Sequence, residues 1–238
     1  MSEDGERAEI LKAFASLRVA DVRDGMDTLG LHHVGSMSPG IRPLWRTRAF
    51  GIARTARYTP YDGPTPTARG EEYWEWVAWY YAEVCSYPWM EDVEKGDFIV
   101  IDQSHIDVGL MGSANSLGGI ARGVSGYVTN GGVRDTDEVI LEKIPFWSAM
   151  CSQPMVQARI RYDSKDVAVS VGGVMVHPGD VVVADGDGVI VVPRGVALEV
   201  AKYADAEHRR DMVGRRKLYD TLGMDPDETV AGNEEAQQ

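Results

Sequence analysis

Apolar residues recur at helical spacing from Arg7 to Leu17, where Ile10, Leu11, Phe14 and Leu17 share one face, and this pattern predicts a short helix. A second helical stretch begins near Val19 and ends at Thr28-Leu29-Gly30, with Gly30 in the position that follows a last turn. The breaker-rich segment HHVGSMSPGIRP then leads as a loop into alternating strands near Ala49 to Ala56. From Tyr61 to Gly70 the chain is polar and turn-rich. Rings crowd the stretch that follows: Tyr73, Trp74, Trp76, Trp79, Tyr80, Tyr81, Tyr87 and Trp89. Such spacing points to packing in a core or a subunit interface, with a lid over an active site as the second reading. Base stacking is disfavoured, because Glu71, Glu72, Glu75 and Glu83 stand where a nucleic-acid binder needs Lys or Arg.

Strand propensity returns at Asp97 to Asp102, after the turn formers Lys95-Gly96. The small-residue segment from Gly112 to Gly123 separates it from a strand at Gly126 to Thr129. This order of strand, loop, helix and strand implies parallel pairing, because a crossover helix must return the chain across the sheet. After Asn130-Gly131-Gly132-Val133-Arg134-Asp135, a short helix is expected at Asp137 to Glu142 and a further strand toward Met150. The last third is β-rich and punctuated at Gly172-Gly173, Pro178-Gly179 and Asp185-Gly186, so it reads as short hairpins. A long charged helix from Val196 to about Arg216 closes the body. The acidic tail, residues 225–238, is expected to fray or to lie on a neighbour.

A chain of 238 residues fits one α/β domain, placed here at residues 1–224, and can bury a core without a metal or disulfide staple. Lys and Arg number 24 against 37 Asp and Glu, and the resulting charge of -13 repels nucleic acid and anionic membranes while leaving room for a local anion site. Cys85 and Cys151 lack metal or redox spacing and are expected to be buried small hydrophobes. The polar, acidic start MSEDGERAEI resembles neither a signal nor a transit peptide, and no apolar run reaches the roughly 20 residues that span a bilayer. A cytoplasmic location is therefore expected.

The sharpest chemical feature is the run from Asn130 to Asp135. Two glycines after a strand let a ligand approach the backbone, and the next residues bring a guanidinium and a carboxylate to the strand's carboxyl end. Arg134 could clamp a carboxylate bidentately while Asp135 holds a hard cation. The same pair also reads as a contact that only fixes a turn, and the motif alone does not decide between them. The loop from Gly112 to Leu117 is a second candidate, since backbone N–H groups ahead of a helix make an anion site. It lacks a P-loop lysine and the GxGxxG pattern, which argues against nucleotide binding. His105-Ile106-Asp107 could set two metal ligands on one side of an extended segment, or form a satisfied polar loop. Asp185-Gly186-Asp187-Gly188 reads as a hairpin turn rather than a calcium loop. No GxSxG elbow or activated lysine supports covalent catalysis.

At GVSGYVTNGGVRDTDEV the chain resembles the RraA-like family, which includes the 4-hydroxy-4-methyl-2-oxoglutarate / 4-carboxy-4-hydroxy-2-oxoadipate aldolases and the regulator of ribonuclease activity A. The resemblance extends through ADVRDGMDTLG, MSPGIRPL, GDFIVID and VHPGDVVVADGDGVIVVP, covering most residues from 20 to 210. It implies an RraA-like α/β/β sandwich with a central sheet and C-terminal helix, assembled as a trimer or hexamer with active sites at subunit boundaries. It further implies a divalent-metal-dependent lyase that cleaves a 4-hydroxy-2-oxo acid by a retro-aldol step, with oxaloacetate decarboxylation as a related activity. The alternatives are a ribonuclease-regulating protein-binding module and a divergent lyase or hydratase.

Carried over by position, Arg134 contacts the 2-oxo acid, Asp135 anchors Mg2+ or Mn2+ largely through waters, and the backbone at Gly112, Ala114 and Asn115 receives the substrate carboxylate. Ser113 stands where the aldolases carry Asp or Glu, and a hydroxyl supplies neither the charge nor a base near neutral pH. Asn130 stands where relatives often carry Asp. The family's catalytic glutamate from an adjacent chain has Glu207 and Asp211 as candidates here, and His105 or Asp107 could compensate from the preceding loop. The aromatic stretch at about 61–90 resembles an insertion relative to compact relatives.

Overall fold

A computed structural model describes residues 3–230 of the protein. Helices α1 (Glu3–Phe14) and α2 (Val19–Thr28) precede strand β1 (Arg42–Pro43) and the long β2 (Ala49–Pro60). The aromatic stretch supplies α3 (Glu71–Glu83) and a 3-10 turn at Pro88–Asp92. Next come β3 (Asp97–Asp102), β4 (Gly109–Met111), α4 (Ser113–Arg122), β5 (Gly126–Val133), α5 (Thr136–Leu141) and β6 (Phe146–Cys151). Strand β7 (Ile160–Lys165) leads to the hairpin of β8 (Val169–Val171) and β9 (Val174–Val176). The hairpin of β10 (Val181–Asp185) and β11 (Gly188–Val192) then leads to α6 (Ala197–Leu222).

The result is a mixed α/β architecture with a nearly closed sheet and a C-terminal helix. The main sheet runs β1-β6-β5-β3-β2-β10-β11, with β4 beside β5 and β7 beside β2. Its centre is parallel, β2 to β3 to β5 to β6, as the crossover pattern requires. Strand β2 is long enough to serve two further neighbours. Its first half pairs antiparallel with β10 and its second half with β7, with a bulge at Arg57 and Tyr58 where the partner changes register.

Alternation along the strands divides the apolar side chains. Phe98 and Val100 of β3 join Val128, Trp147, Val182 and Val191 in the core covered by β8 and β9. Ile99 and Ile101 face the other way, with Tyr127, Phe146, Tyr80 and Trp89. A third cluster joins Ile10, Phe14, Val22 and Met26 of the first helices to Val200 and Ala204 of α6 and to Val181 and Ile190 of the last hairpin. Burying each large apolar side chain contributes about 1.5–3 kcal/mol, so these faces carry most of the stability.

Buried Tyr80 and Trp89 confirm the packing role of part of the aromatic stretch, while Trp74 and Trp79 remain exposed. Trp89 Nε1 donates to the Tyr58 hydroxyl at 2.9 Å, and that hydroxyl donates to Ser86 O. Helix α6 outlasts its expected end near Arg216, because Arg216 pairs with Asp220 one turn on and Gly223 then takes the left-handed conformation. In the tail, Asp227 accepts from the Tyr219 hydroxyl at 3.0 Å, tying its first residues to α6. The expectation for the rest of the tail falls on residues 231–238, outside the described part. Among the described residues, no helix is long and apolar enough to cross a membrane.

Candidate active site

Gly131 and Gly132 lie inside β5 rather than after it, a correction to the expected turn. The reason is close packing: a Cβ on Gly131 would sit 2.6 Å from Gln103 side-chain carbons, and one on Gly132 would collide with Ser152 Oγ. Strand β5 therefore carries the chain straight to Val133, where it pairs with β4 and β6. Arg134 N–H donates to Met111 O at 3.0 Å, which sets Arg134 beside the junction of β4 and α4.

Gly112 caps α4, and Ser116 N–H makes the first helical bond to its carbonyl. The N–H groups of Ser113, Ala114 and Asn115 precede that bond and have no intrahelical acceptor, so the helix presents donors and the positive end of its dipole here. Asp135, with φ 53°, caps α5 from the left-handed region, and its carbonyl accepts from Val139 N–H. This backbone turn lays the Arg134 and Asp135 side chains over β4 and the start of α4. A Cβ on Gly109 would stand 2.6 Å from both Cβ and Cγ of Arg134, and a Cβ on Gly112 would collide with Asp135 Oδ2. Both glycines are required for that approach.

Arg134 Nε donates to Asp135 Oδ1 at 3.1 Å, and the side chains remain 33% and 37% exposed. The pair contact anticipated from the motif is thus present. It uses only one edge of the guanidinium: among the described residues, neither Nη group of Arg134 has an acceptor. The structure therefore brings together Gly112, Ser113, Ala114, Asn115, Arg134 and Asp135, with the Arg134 Nη donors without an acceptor among the described residues.

The other candidates fall elsewhere. Glu207 pairs with Arg210 at 2.6 Å, and Asp211 with Arg18 at 2.9 Å, both in the layer that α6 forms with α2. Neither pairs with Arg134 or Asp135 within this chain. The 103–108 segment is a tight turn, with Ser104 and His105 at φ 52° and 56°, so His105-Ile106-Asp107 is not the extended ligand pair considered from sequence. Asp107 instead accepts from Ser152 Oγ at 2.6 Å. Among the described residues, no cluster of three or more His, Cys, Asp or Glu is arranged to hold a metal.

Asn130 is buried outside the site. Its amide donates to Asp102 Oδ1 and Ser170 O and accepts from Gln103 N–H, joining β3, β5 and β8. An ionised Asp could not donate to Asp102 and would set two carboxylates together. Cys85 is buried, and burial pushes its thiol up to about 12, whereas Cys151 is exposed at the end of β6 and overturns its expected burial.

Sequence reasoning missed Gly109 and Tyr87. Tyr87, from the aromatic stretch, donates its hydroxyl to Leu110 O at 2.7 Å and lies beside the Asn115 side chain. Burial raises its phenol well above the usual value. It connects the aromatic stretch to the floor of the site.

A family model described as RraA-like, Aldolase/RraA, matches residues 19–191. The chain belongs to the RraA-like family. Protein DlpA of Legionella pneumophila is 26% identical over 203 residues, covering 83% of this chain and 30% of that protein. A protein of Halalkalibacterium halodurans named "Putative 4-hydroxy-4-methyl-2-oxoglutarate aldolase" is 29% identical over 137 residues, covering 56% of this chain and 63% of that protein. The match thus spans less than two thirds of either relative's length. Among solved structures, an uncharacterized protein of Pseudomonas syringae superposes with a TM-score of 0.71 at 27% identity, over 88% of this chain and 92% of that one. Streptomyces coelicolor RraAS2, described as an unusual member of the RNase ES inhibitor RraA protein family, gives 0.68 at 25% identity, over 87% and 96%. Both likenesses agree with the RraA-like fold.

Proposed function

We propose that this RraA-like protein is a divalent-metal-dependent lyase that cleaves a 4-hydroxy-2-oxo acid by retro-aldol chemistry and also decarboxylates oxaloacetate. The observation that carries this reading is the half-used guanidinium of Arg134, held by Asp135 across the α4 N-terminus. An anion is the complementary ligand for such a constellation. The aldolase names of relatives support the same class.

Asp135 is the carboxylate at this site, half-exposed and seated over Gly112, where a side chain would exclude it. One carboxylate with room for water fits Mg2+ or Mn2+, since Mg2+ binds through few carboxylates and keeps several waters. When bound, the ion would act as a Lewis acid toward the 2-oxo acid oxygens. Arg134 would bind the substrate carboxylate through its Nη groups, with the N–H groups of Ser113, Ala114 and Asn115 as neighbouring donors. Asp135 would fix the guanidinium while keeping its second oxygen free. Ser113 can orient a water by hydrogen bonding but does not accept a proton readily near neutral pH. The proton-transfer group is therefore assigned to Glu207 or Asp211 of a neighbouring copy in a trimer or hexamer.

Arg134→Ala tests the reading through pyruvate release and assembly state. Losing the charged contact should cost roughly 2–5 kcal/mol of transition-state binding, with little effect on assembly. Near-native turnover would remove Arg134 from the mechanism. A second reading, a module that binds a ribonuclease, draws on the likeness to RraAS2 and the acidic charge of -13, which suits a basic protein partner better than RNA. A specific ribonuclease complex without turnover would favour it.

A further inference from the structure

Helix α6 outruns the body it packs on. Its buried residues, Ala197, Val200, Ala201 and Ala204, all lie in its first third, and from Arg209 to Leu222 none is buried. The tail folds back on one side of this outer end: Arg215 Nη2 donates to Thr229 Oγ1 at 2.7 Å, and the Tyr219 hydroxyl to Asp227 at 3.0 Å. The other side stays open. Arg210, Val213, Gly214, Lys217 and Leu218 share it at helical spacing, and Leu222 extends the stripe. Val213, Leu218 and Leu222 are 58%, 60% and 71% exposed. Five basic residues stand against two acids, Asp211 and Asp220, between Arg209 and Leu222, so this end is locally basic in a chain of charge -13. Lys217 makes no ion pair among the described residues. Helix α3 has the opposite character. Val77 and Tyr80 face the core, while Glu71, Glu72, Glu75 and Glu83 are exposed and make no ion pair among the described residues. The helix holds no basic residue. Trp74 and Trp79 are 61% and 47% exposed, and the small side chains of Ala78 and Ala82 lie between them around the helix.

We infer that α3 is the docking surface for the outer end of α6 of a second copy of this chain. Leu218 and Leu222 of that copy pack against Trp74 and Trp79 over the two alanines, and its Arg210 and Lys217 meet the glutamates of α3. Large indole faces are strong anchors in an interface, and a cation gains further by lying on one. Charge of opposite sign on two open apolar faces selects this pairing over α3 with α3 or α6 with α6, where like charges would meet. Both segments are about 20 Å long, so they match end to end. Each copy carries both surfaces, so the contact closes a ring of copies or is made twice in a two-fold pair. The inference uses neither Arg134 nor Asp135 and stands apart from the lyase reading.

The test is analytical ultracentrifugation of the full chain over a concentration series, with thermal melts to show that each variant folds. The unaltered protein should form an oligomer whose dissociation constant weakens at least about tenfold as salt rises from about 0.05 to about 0.5 M. Inverting one face alone, by Glu71→Lys with Glu75→Lys or by Arg210→Glu with Lys217→Glu, should weaken it at least about tenfold, and both inversions in one chain should recover most of the loss. Trp74→Ser with Trp79→Ser should weaken it by a similar factor. A monomeric native chain overturns the inference and leaves α3 to a basic partner of another kind. A dissociation constant within about threefold of native in either inverted variant also overturns it, as does a combined variant no tighter than the single inversions. The salt series uses the unaltered protein, so an oligomer indifferent to salt overturns the inference even if an inverted variant fails to fold. These outcomes are read from mass, and failure of lyase turnover leaves them unaffected.

Discussion

Gly109→Ala removes no functional group, yet it should cripple the site. The new Cβ would lie 2.6, 2.6 and 2.7 Å from Cβ, Cγ and Cδ of Arg134. Carbon atoms in contact settle near 3.5–4.0 Å, so the two chains must separate by roughly 1 Å. Arg134 cannot escape by a rotamer change alone, because its Cβ is fixed by β5 and by the 3.0 Å bond from its N–H to Met111 O. Overpacking of this kind costs about 1–3 kcal/mol, which lowers Tm by roughly 2–12 °C in a chain of this size. Displacing a binding group by about 1 Å costs on the order of 100-fold in rate, so kcat/KM for pyruvate release should fall by about that factor. The double variant with Arg134→Ala should be no slower than Arg134→Ala alone, since the glycine acts through the arginine. A folded Gly109→Ala protein with kcat/KM within about threefold of native would refute the reasoning.

Asp135→Asn should preserve the fold and the metal-free Tm while sharply reducing activation by Mg2+; unchanged activation in a metal titration would place the ion elsewhere. Tyr87→Phe leaves Leu110 O without its donor, and the loss of about 1–3 kcal/mol should appear in thermal melts, with a smaller loss of turnover than in Arg134→Ala. Asp21 gives a pH-dependent signal. Burial raises its carboxyl, but the hydrogen bonds and charge of Arg18 outweigh that and hold it below the ordinary value. A depressed folded pKa gives stability that is full above the unfolded value of about 3.9 and is lost as pH falls through the lower folded value. The Tm gap between native protein and Asp21→Asn should therefore be constant near neutrality and shrink in acid below about pH 4; a gap that widens there would reverse the sign.

Most of the fold was legible from helical periodicity, strand propensity and turn residues. The first helix shows its buried face in Ile10 and Phe14, Phe98 to Ile101 declares its strand by β-propensity after a turn, and the hairpin at Asp185 to Gly188 follows directly from its turn residues. Strand β4 was not legible: Gly109–Met111 is too short to show a period, and it exists through pairing with β5. The same limit hid the site's supports. Arg134 and Asp135 stand out as adjacent charges after glycines, but the need for Gly109 beneath Arg134 arises only when β4 and β5 meet. His105-Ile106-Asp107 failed as a ligand pair because two consecutive left-handed residues turn the chain there. Glu207 and Asp211 belong to a helix that packs within the chain on α1, α2 and the last hairpin, and Asp211 itself pairs with Arg18. The role proposed for them needs a neighbouring copy, which one sequence does not display.

The most direct measurement of the central claim is release of pyruvate or CO2 from a panel of 4-hydroxy-2-oxo acids and oxaloacetate, first with EDTA and then with Mg2+ or Mn2+. Turnover is expected that chelation abolishes, that either ion restores, and that Arg134→Ala lowers by roughly 2–5 kcal/mol of transition-state binding, at least about 30-fold. Silence across the panel from folded, metal-supplied protein, or turnover indifferent to EDTA, would contradict it.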